Sequence, residues 1–173
     1  MMAPVRIDQG QSSIPMMPAR PLRFLMRVPV PWVFVLMYLI GAALERVWPL
    51  GRRLMTMTHV EIAGAVLFTI GAVIAGSGLT IFHEARTTTT PGERSSALVT
   101  RGPYRFTRNP MYVGLVLAYI GEAGILRHVW PLVLLPLVLV YLNWVVIPVE
   151  EARLTEVFPD AYAQYRRSVR RWI

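Results

Sequence analysis

The 173-residue chain contains no cysteine and no lysine, and only 16% of its residues are charged. The missing cysteine excludes a disulfide framework, a thiolate metal site and a cysteine nucleophile. The missing lysine makes all 18 basic residues arginine, against 10 acidic ones, for a formal charge of +8. Histidine is scarce as well. His59, His83 and His128 lack metal-ligand spacing, so no metal is expected. No Walker loop, no Gly-x-Gly-x-x-Gly after a strand and no Gly-x-Ser-x-Gly is present. No internal repeat is visible either.

Apolar residues are abundant instead: 54% of the chain, with a mean hydropathy of +0.45. They come in long runs, which excludes a disordered basic tail and a compact nucleic-acid module. A bilayer core about 30 Å thick needs roughly 20 apolar residues as a helix. Four stretches approach that length, over residues 31–48, 59–82, 110–126 and 129–149. The second carries Gly64, Gly71, Gly76 and Gly78, which predict close approach of a neighbouring helix. Only Arg127 and His128 separate the third and fourth, predicting a tight antiparallel hairpin, kinked at Pro136. Glu122 and Arg127, near the same end, read as partners. The first run is no signal peptide, since some 30 residues would precede it.

The expected architecture is therefore an all-α integral membrane protein with about four transmembrane helices. A flexible tail covers residues 1–27, and the four-span domain covers 28–149 with a cytoplasmic loop at 83–109. The segment 150–173 completes the molecule. Arginine distribution sets the orientation. Fourteen arginines fall before the first span, between the second and third, or after the fourth; only Arg46, Arg52, Arg53 and Arg127 fall on the other side. The positive-inside rule then puts the N and C termini and the central loop in the cytoplasm. The arginine-for-lysine bias is an association with bacterial genomes of high GC content, and the expected location is a bacterial inner membrane.

Two cytoplasmic segments carry the non-lipid information. The first reads Arg101-Gly102-Pro103-Tyr104-Arg105-Phe106-Thr107-Arg108-Asn109-Pro110-Met111-Tyr112-Val113-Gly114. Asn109 before Pro110 is a helix start, with asparagine as N-cap and proline at the first position. An open helix N-terminus among arginines favours a carboxylate or phosphate. Gly102 and Gly114 allow close approach of backbone to ligand. A plain interfacial helix start remains the alternative. The second segment holds Glu150-Glu151 after Pro148. Carboxylates at this depth need a polar cavity or a partner. Either Glu150 pairs with Arg153 at i,i+3, or one carboxylate faces a ligand. Tyr141 and Asn143, one to two turns deeper, are interhelical glue or cavity lining. The short hairpin brings both segments to one level.

Beyond Pro159, Tyr162, Tyr165, Val169 and Trp172 recur every three or four residues, with Arg166, Arg167, Arg170 and Arg171 between them. This spacing predicts an interfacial amphipathic helix whose basic face meets anionic headgroups. Nothing else supports nucleic acid as a partner. The His83-Glu84 pair reads as a helix terminus or the lining of a substrate entrance, and Thr87 to Thr90 as loop.

Gly102-Pro103-Tyr104, then Arg108-Asn109-Pro110-Met111-Tyr112-Val113-Gly114, then Glu150-Glu151 and the Tyr162/Tyr165 tail, resemble one superfamily. It is that of the isoprenylcysteine carboxyl methyltransferases and phosphatidylethanolamine N-methyltransferases of membranes. The likeness covers roughly residues 98–172. It implies S-adenosylmethionine as methyl donor, wrapped by Gly102, Pro103, Tyr104, Arg108, Asn109, Pro110, Tyr112 and Gly114. Glu150 or Glu151 would bind its ribose hydroxyls or ammonium. The implied activity is methyl transfer to a lipid or lipid-modified acceptor, a prenylcysteine carboxylate among them. Arg153 or Arg105 would orient an anionic acceptor, with Arg153, Glu150 and Asn109 as the catalytic set. The eukaryotic pattern has histidine where Asn109 stands, so a histidine base is absent here, and the second glycine of its first motif is unmatched. The alternatives are an NADPH-dependent oxidoreductase resembling sterol reductases, and a membrane scaffold keeping a relic pocket.

Overall fold

The computed structural model describes residues 29–50, 58–84 and 98–173, the side chains of 82–84 excepted. The tail at 1–27, most of the central loop, the side chains of His83 and Glu84, and Thr87–Thr90 therefore lie outside the described residues. Among those described there is no strand. Helix α1 is Val30–Val47, α2 Thr58–Glu84 and α3 Pro110–Leu126. Helix α4, Trp130–Tyr141, passes through a π turn at Leu142–Val146 into α5, Ile147–Val157, and α6 is Pro159–Ser168. Three helical stretches are long and apolar enough to cross a membrane: Val30–Val47, Thr58–Ile81 and Trp130–Val157. At 17 residues, α3 is shorter.

Glycines place α3 against α2. Gly64, Gly71 and Gly78 recur every seven residues on one side of α2, and Gly114 and Gly121 do the same on α3. A β-carbon on Gly71 would stand 2.5 Å from the Gly114 carbonyl oxygen, and one on Gly64 would stand 2.7 Å from that of Gly121. The two backbones are thus in direct contact, the packing that small residues permit in a membrane. Gly78 instead accommodates the Met111 side chain. Gly76 differs from the expectation. It lies about 140° around α2 from Gly71, and a β-carbon there would meet nothing within 4 Å.

The other pairing joins α1 to α4. Gly41 touches the buried Pro131, and Glu45 of α1, only 6% exposed, accepts the amides of Val129 at 2.8 Å and Trp130 at 3.3 Å. A carboxylate from another helix therefore satisfies the orphan donors at the start of α4. Tyr119 of α3 donates to the Pro131 carbonyl at 3.0 Å, and its ring meets Tyr38 edge-on. These side chains join Phe34, Tyr112, Leu135, Val138, Leu142 and Ile147 in one core. Outward, Trp32, Leu36 and Leu39 of α1, Ile62, Val66 and Val73 of α2, and Val133 and Leu137 of α4 are exposed. Such continuous apolar flanks fit hydrocarbon, not water.

The tight hairpin is present. Helix α3 ends on Arg127 in the left-handed region (φ 55°), with the His128 amide bonded to the Ala123 carbonyl at 2.9 Å. Two expectations change here. Arg127 pairs at 3.1 Å with Glu61 of α2, not with Glu122, because its left-handed backbone leaves the axis of α3. The break in the fourth helix falls at Leu142–Val146, not at Pro136. Pro148 has no amide to give Trp144 and crowds its carbonyl, and a π turn just upstream absorbs the conflict. The helix then runs unbroken from Ile147 to Val157, so Glu150 and Glu151 lie on a helix.

Replacing Gly71 by valine is expected to destabilise the protein by about 1–3 kcal/mol, because two backbones must separate. Gly76→Ala should stay within about 0.5 kcal/mol of the parent. Chemical unfolding in detergent checks both; equal losses would contradict the glycine contact.

Candidate functional site

The segment leading into α3 is built to bend. Gly102 adopts φ 62°, and a β-carbon there would lie 2.5 Å from Ile81 of α2. A 3-10 turn, Gly102–Arg105, follows and buries Tyr104. The Tyr104 carbonyl accepts the Tyr165 hydroxyl of α6 at 2.6 Å. Burial, and then the neighbouring Tyr165 and Glu150, push the Tyr104 phenol well above its usual range. Burial likewise pushes Tyr162 and Tyr165 up to about 12. These phenols are neutral hydrogen-bonding groups across the working pH range.

The adjacent glutamates have separate duties. Successive helical residues point about 100° apart, so Glu150 faces α3 and Glu151 faces the loop and the C-terminal tail. Glu150 accepts a 2.6 Å hydrogen bond from the Tyr112 hydroxyl. Glu151, 9% exposed, takes Arg108 on one side at 3.1 Å and Arg171 on the other. The Arg171 Nε donates to Glu151 Oε1 at 3.1 Å and its Nη2 to Oε2, a bidentate contact. Among the described residues Arg153 forms no ion pair, so the Glu150–Arg153 pair is not made.

The tail is tied down along its length. Chain beyond α6 is extended, and the Arg108 amide donates to the Arg170 carbonyl at 2.9 Å. The Arg171 carbonyl accepts Thr107 Oγ1 at 3.1 Å and Asn109 Nδ2 at 2.8 Å. Trp172 Nε1 reaches Asn143 Oδ1 at 3.3 Å. Asn109 stands at the cap position expected of it, yet its side chain does not cap α3. Its amide is engaged by the tail instead.

Of the sequence candidates, Tyr104, Arg108, Asn109, Tyr112, Glu150 and Glu151 converge at one end of the bundle. Pro110 is buried as the first residue of α3. Gly102 and Pro103 shape the turn, while Gly114 faces α2, where a β-carbon would lie 2.5 Å from the Ala75 amide. Thr107 and the roles of Arg171 and Trp172 were not legible in the sequence; only their polarity beside a helix end hinted at them.

One feature is incomplete as it stands. Arg108 Nη2 is used by Glu151, but Nε and Nη1 are buried and have no acceptor among the described residues. Leaving such donors unmet costs about 1–3 kcal/mol each, and more when charged. A groove of about 730 Å³ opens between α3 and α4, walled by Val116, Leu117, Leu139, Val140 and Trp172. Its polar member is Asn143, about 10 Å below Glu150 along the helix. Among the described residues no group of three or more histidines and carboxylates is placed to hold a metal.

The family model described as phospholipid methyltransferase matches residues 60–161. No curated protein and no solved structure matches the chain.

Glu151→Gln should cost roughly 3–5 kcal/mol in chemical unfolding, because it strands two guanidinium groups. Glu150→Gln keeps a partner for Tyr112 and should cost about 1 kcal/mol. The reverse order would contradict the division of roles.

Proposed function

Because the chain belongs to the phospholipid methyltransferase family, we propose that it transfers a methyl group from S-adenosylmethionine to a lipid or lipid-modified acceptor. The observation that carries this reading is Arg108, which holds Glu151, the chain neighbour of the Tyr112-bonded Glu150, through Nη2 and keeps two buried nitrogens without a partner among the described residues. Unmet guanidinium donors fit the carboxylate of the donor's amino-acid portion. Glu150, whose Oε2 has no hydrogen-bond partner among the described residues, fits a ribose hydroxyl or an ammonium. The donor, when bound, supplies a methyl group already activated by its sulfonium.

The protein's own task is then alignment and exclusion of water. Arg108 and the 3-10 turn hold one end of the site, and the tail covers it. The groove takes the hydrocarbon of an amphiphile entering sideways from the lipid, which leaves its reactive end at the level of Glu150. Glu151 is committed to two arginines, so Glu150 is the carboxylate left to accept a proton from an amine acceptor. A carboxylate or thiolate acceptor needs no such base. Arg153, one turn beyond Glu150, is placed to orient an anionic headgroup. Asn109 acts by holding the tail. The arginine bias supports cytoplasmic termini, a cytoplasm-facing site and a bacterial inner membrane.

The test is incorporation of labelled methyl into phosphatidylethanolamine, a prenylcysteine or an apolar thiol by the full chain in nanodiscs, with NADPH turnover as control. Label should enter one acceptor class, and Glu150→Gln should lower the rate with an amine acceptor by about 10²-fold or more. Folded protein that labels none of the three would contradict the reading and leave a scaffold with a relic pocket.

A further inference from the structure

Helix α6 does not lie with its aromatic side in lipid. Tyr162 and Tyr165 are 1% and 7% exposed, turned onto the protein. The expected amphipathic helix is there, with its apolar face consumed by the fold, which leaves the arginines facing out. Arg166, Arg167 and Arg170 are exposed, as is Arg105 on the neighbouring turn. Among the described residues none of the four forms an ion pair. The two segments are bonded to each other through Tyr165 to the Tyr104 carbonyl and Arg108 to the Arg170 carbonyl. The arginines therefore belong to one surface. The nearest acidic residues in the chain, Glu156 on α5 and Asp160 in the first turn of α6, precede Arg166 by ten and six residues.

This surface adjoins the apolar belt. Two residues after Arg170, Trp172 and Ile173 wall the lipid-side groove together with Trp144. Phe106, next to Arg105, is 80% exposed and Ile173 is 82% exposed. A row of guanidinium groups flanked by bare apolar tips matches a headgroup layer above hydrocarbon. An RNA or an acidic protein would leave Phe106 and Ile173 in water.

We propose that Arg105, Arg166, Arg167 and Arg170 form a docking surface for anionic phospholipid headgroups. Arginine suits their phosphates, which it engages with two parallel hydrogen bonds. Bound lipid holds the same short segment whose main chain and Arg171 close over Asn109 and Glu151. The inference stands apart from methyl transfer, because it concerns the outer edge of the tail.

Native mass spectrometry of the full detergent-solubilised chain tests it, with phosphatidylglycerol and phosphatidylcholine of the same acyl length as probes. Wild type should retain phosphatidylglycerol several-fold over phosphatidylcholine, and the preference should shrink with added salt. The combined Arg166→Gln, Arg167→Gln, Arg170→Gln variant should bind the two equally. Arg105→Gln alone, which leaves α6 untouched, should lower the preference partway. A wild type without preference, or a folded triple variant that keeps it in full, overturns the proposal.

Discussion

A carboxylate buried in a helical bundle at the edge of a membrane needs positive charge brought to it, and Glu151 obliges the chain to bring two arginines. Arg108 comes from the loop that starts α3, and Arg171 from the last turn of chain. Neither could be removed without stranding the others. The consequence is a closed end. The loop, α5 and the tail are fixed to one another, Asn109 and Thr107 are drawn to the Arg171 carbonyl, and Trp172 is set against Asn143. Because Glu151 satisfies only one nitrogen of Arg108, the same constraint leaves two buried donors without an acceptor among the described residues. On the proposed reading, structural charge balance and ligand recognition share one side chain.

The second constraint lies deeper. Helix α3 meets α2 through glycine backbones, while α4 meets α1 through Gly41 and the Glu45 cap. Rigid packing below lets a short polar cluster above keep its geometry. The π turn before Pro148 matters for the same reason. It delays the helix by one residue, which turns Glu150 toward Tyr112 and Glu151 toward the arginines.

Much of this was legible in the residues. Helix positions followed from apolar runs, the start of α3 from Asn109-Pro110, and the meeting of the Tyr112 and Glu150 segments from a two-residue connection. Local rules failed where partners come from afar. Asn109 has the chemistry of an N-cap, yet a carbonyl 62 residues away competes for its amide. Arg127 looked like the partner of Glu122, but a left-handed residue redirects it to Glu61. Glu45 capping a helix 84 residues later carried no local signal. The glycines of the second span signalled close approach, but Gly76 stood among them although only Gly64, Gly71 and Gly78 share the phase that faces α3. Which glutamate the arginines take up depended on the tail, whose extended course after Ser168 no periodicity encodes.

The most direct measurement is calorimetric titration of the detergent-purified full chain with S-adenosylhomocysteine, alongside Arg108→Gln and the remote Arg127→Gln. The account predicts micromolar binding by the parent and by Arg127→Gln, and a loss of ten-fold or more in Arg108→Gln. Binding that Arg108→Gln leaves intact, or no binding by folded parent protein, would contradict the claim that the unmet guanidinium nitrogens are the donor's anchor.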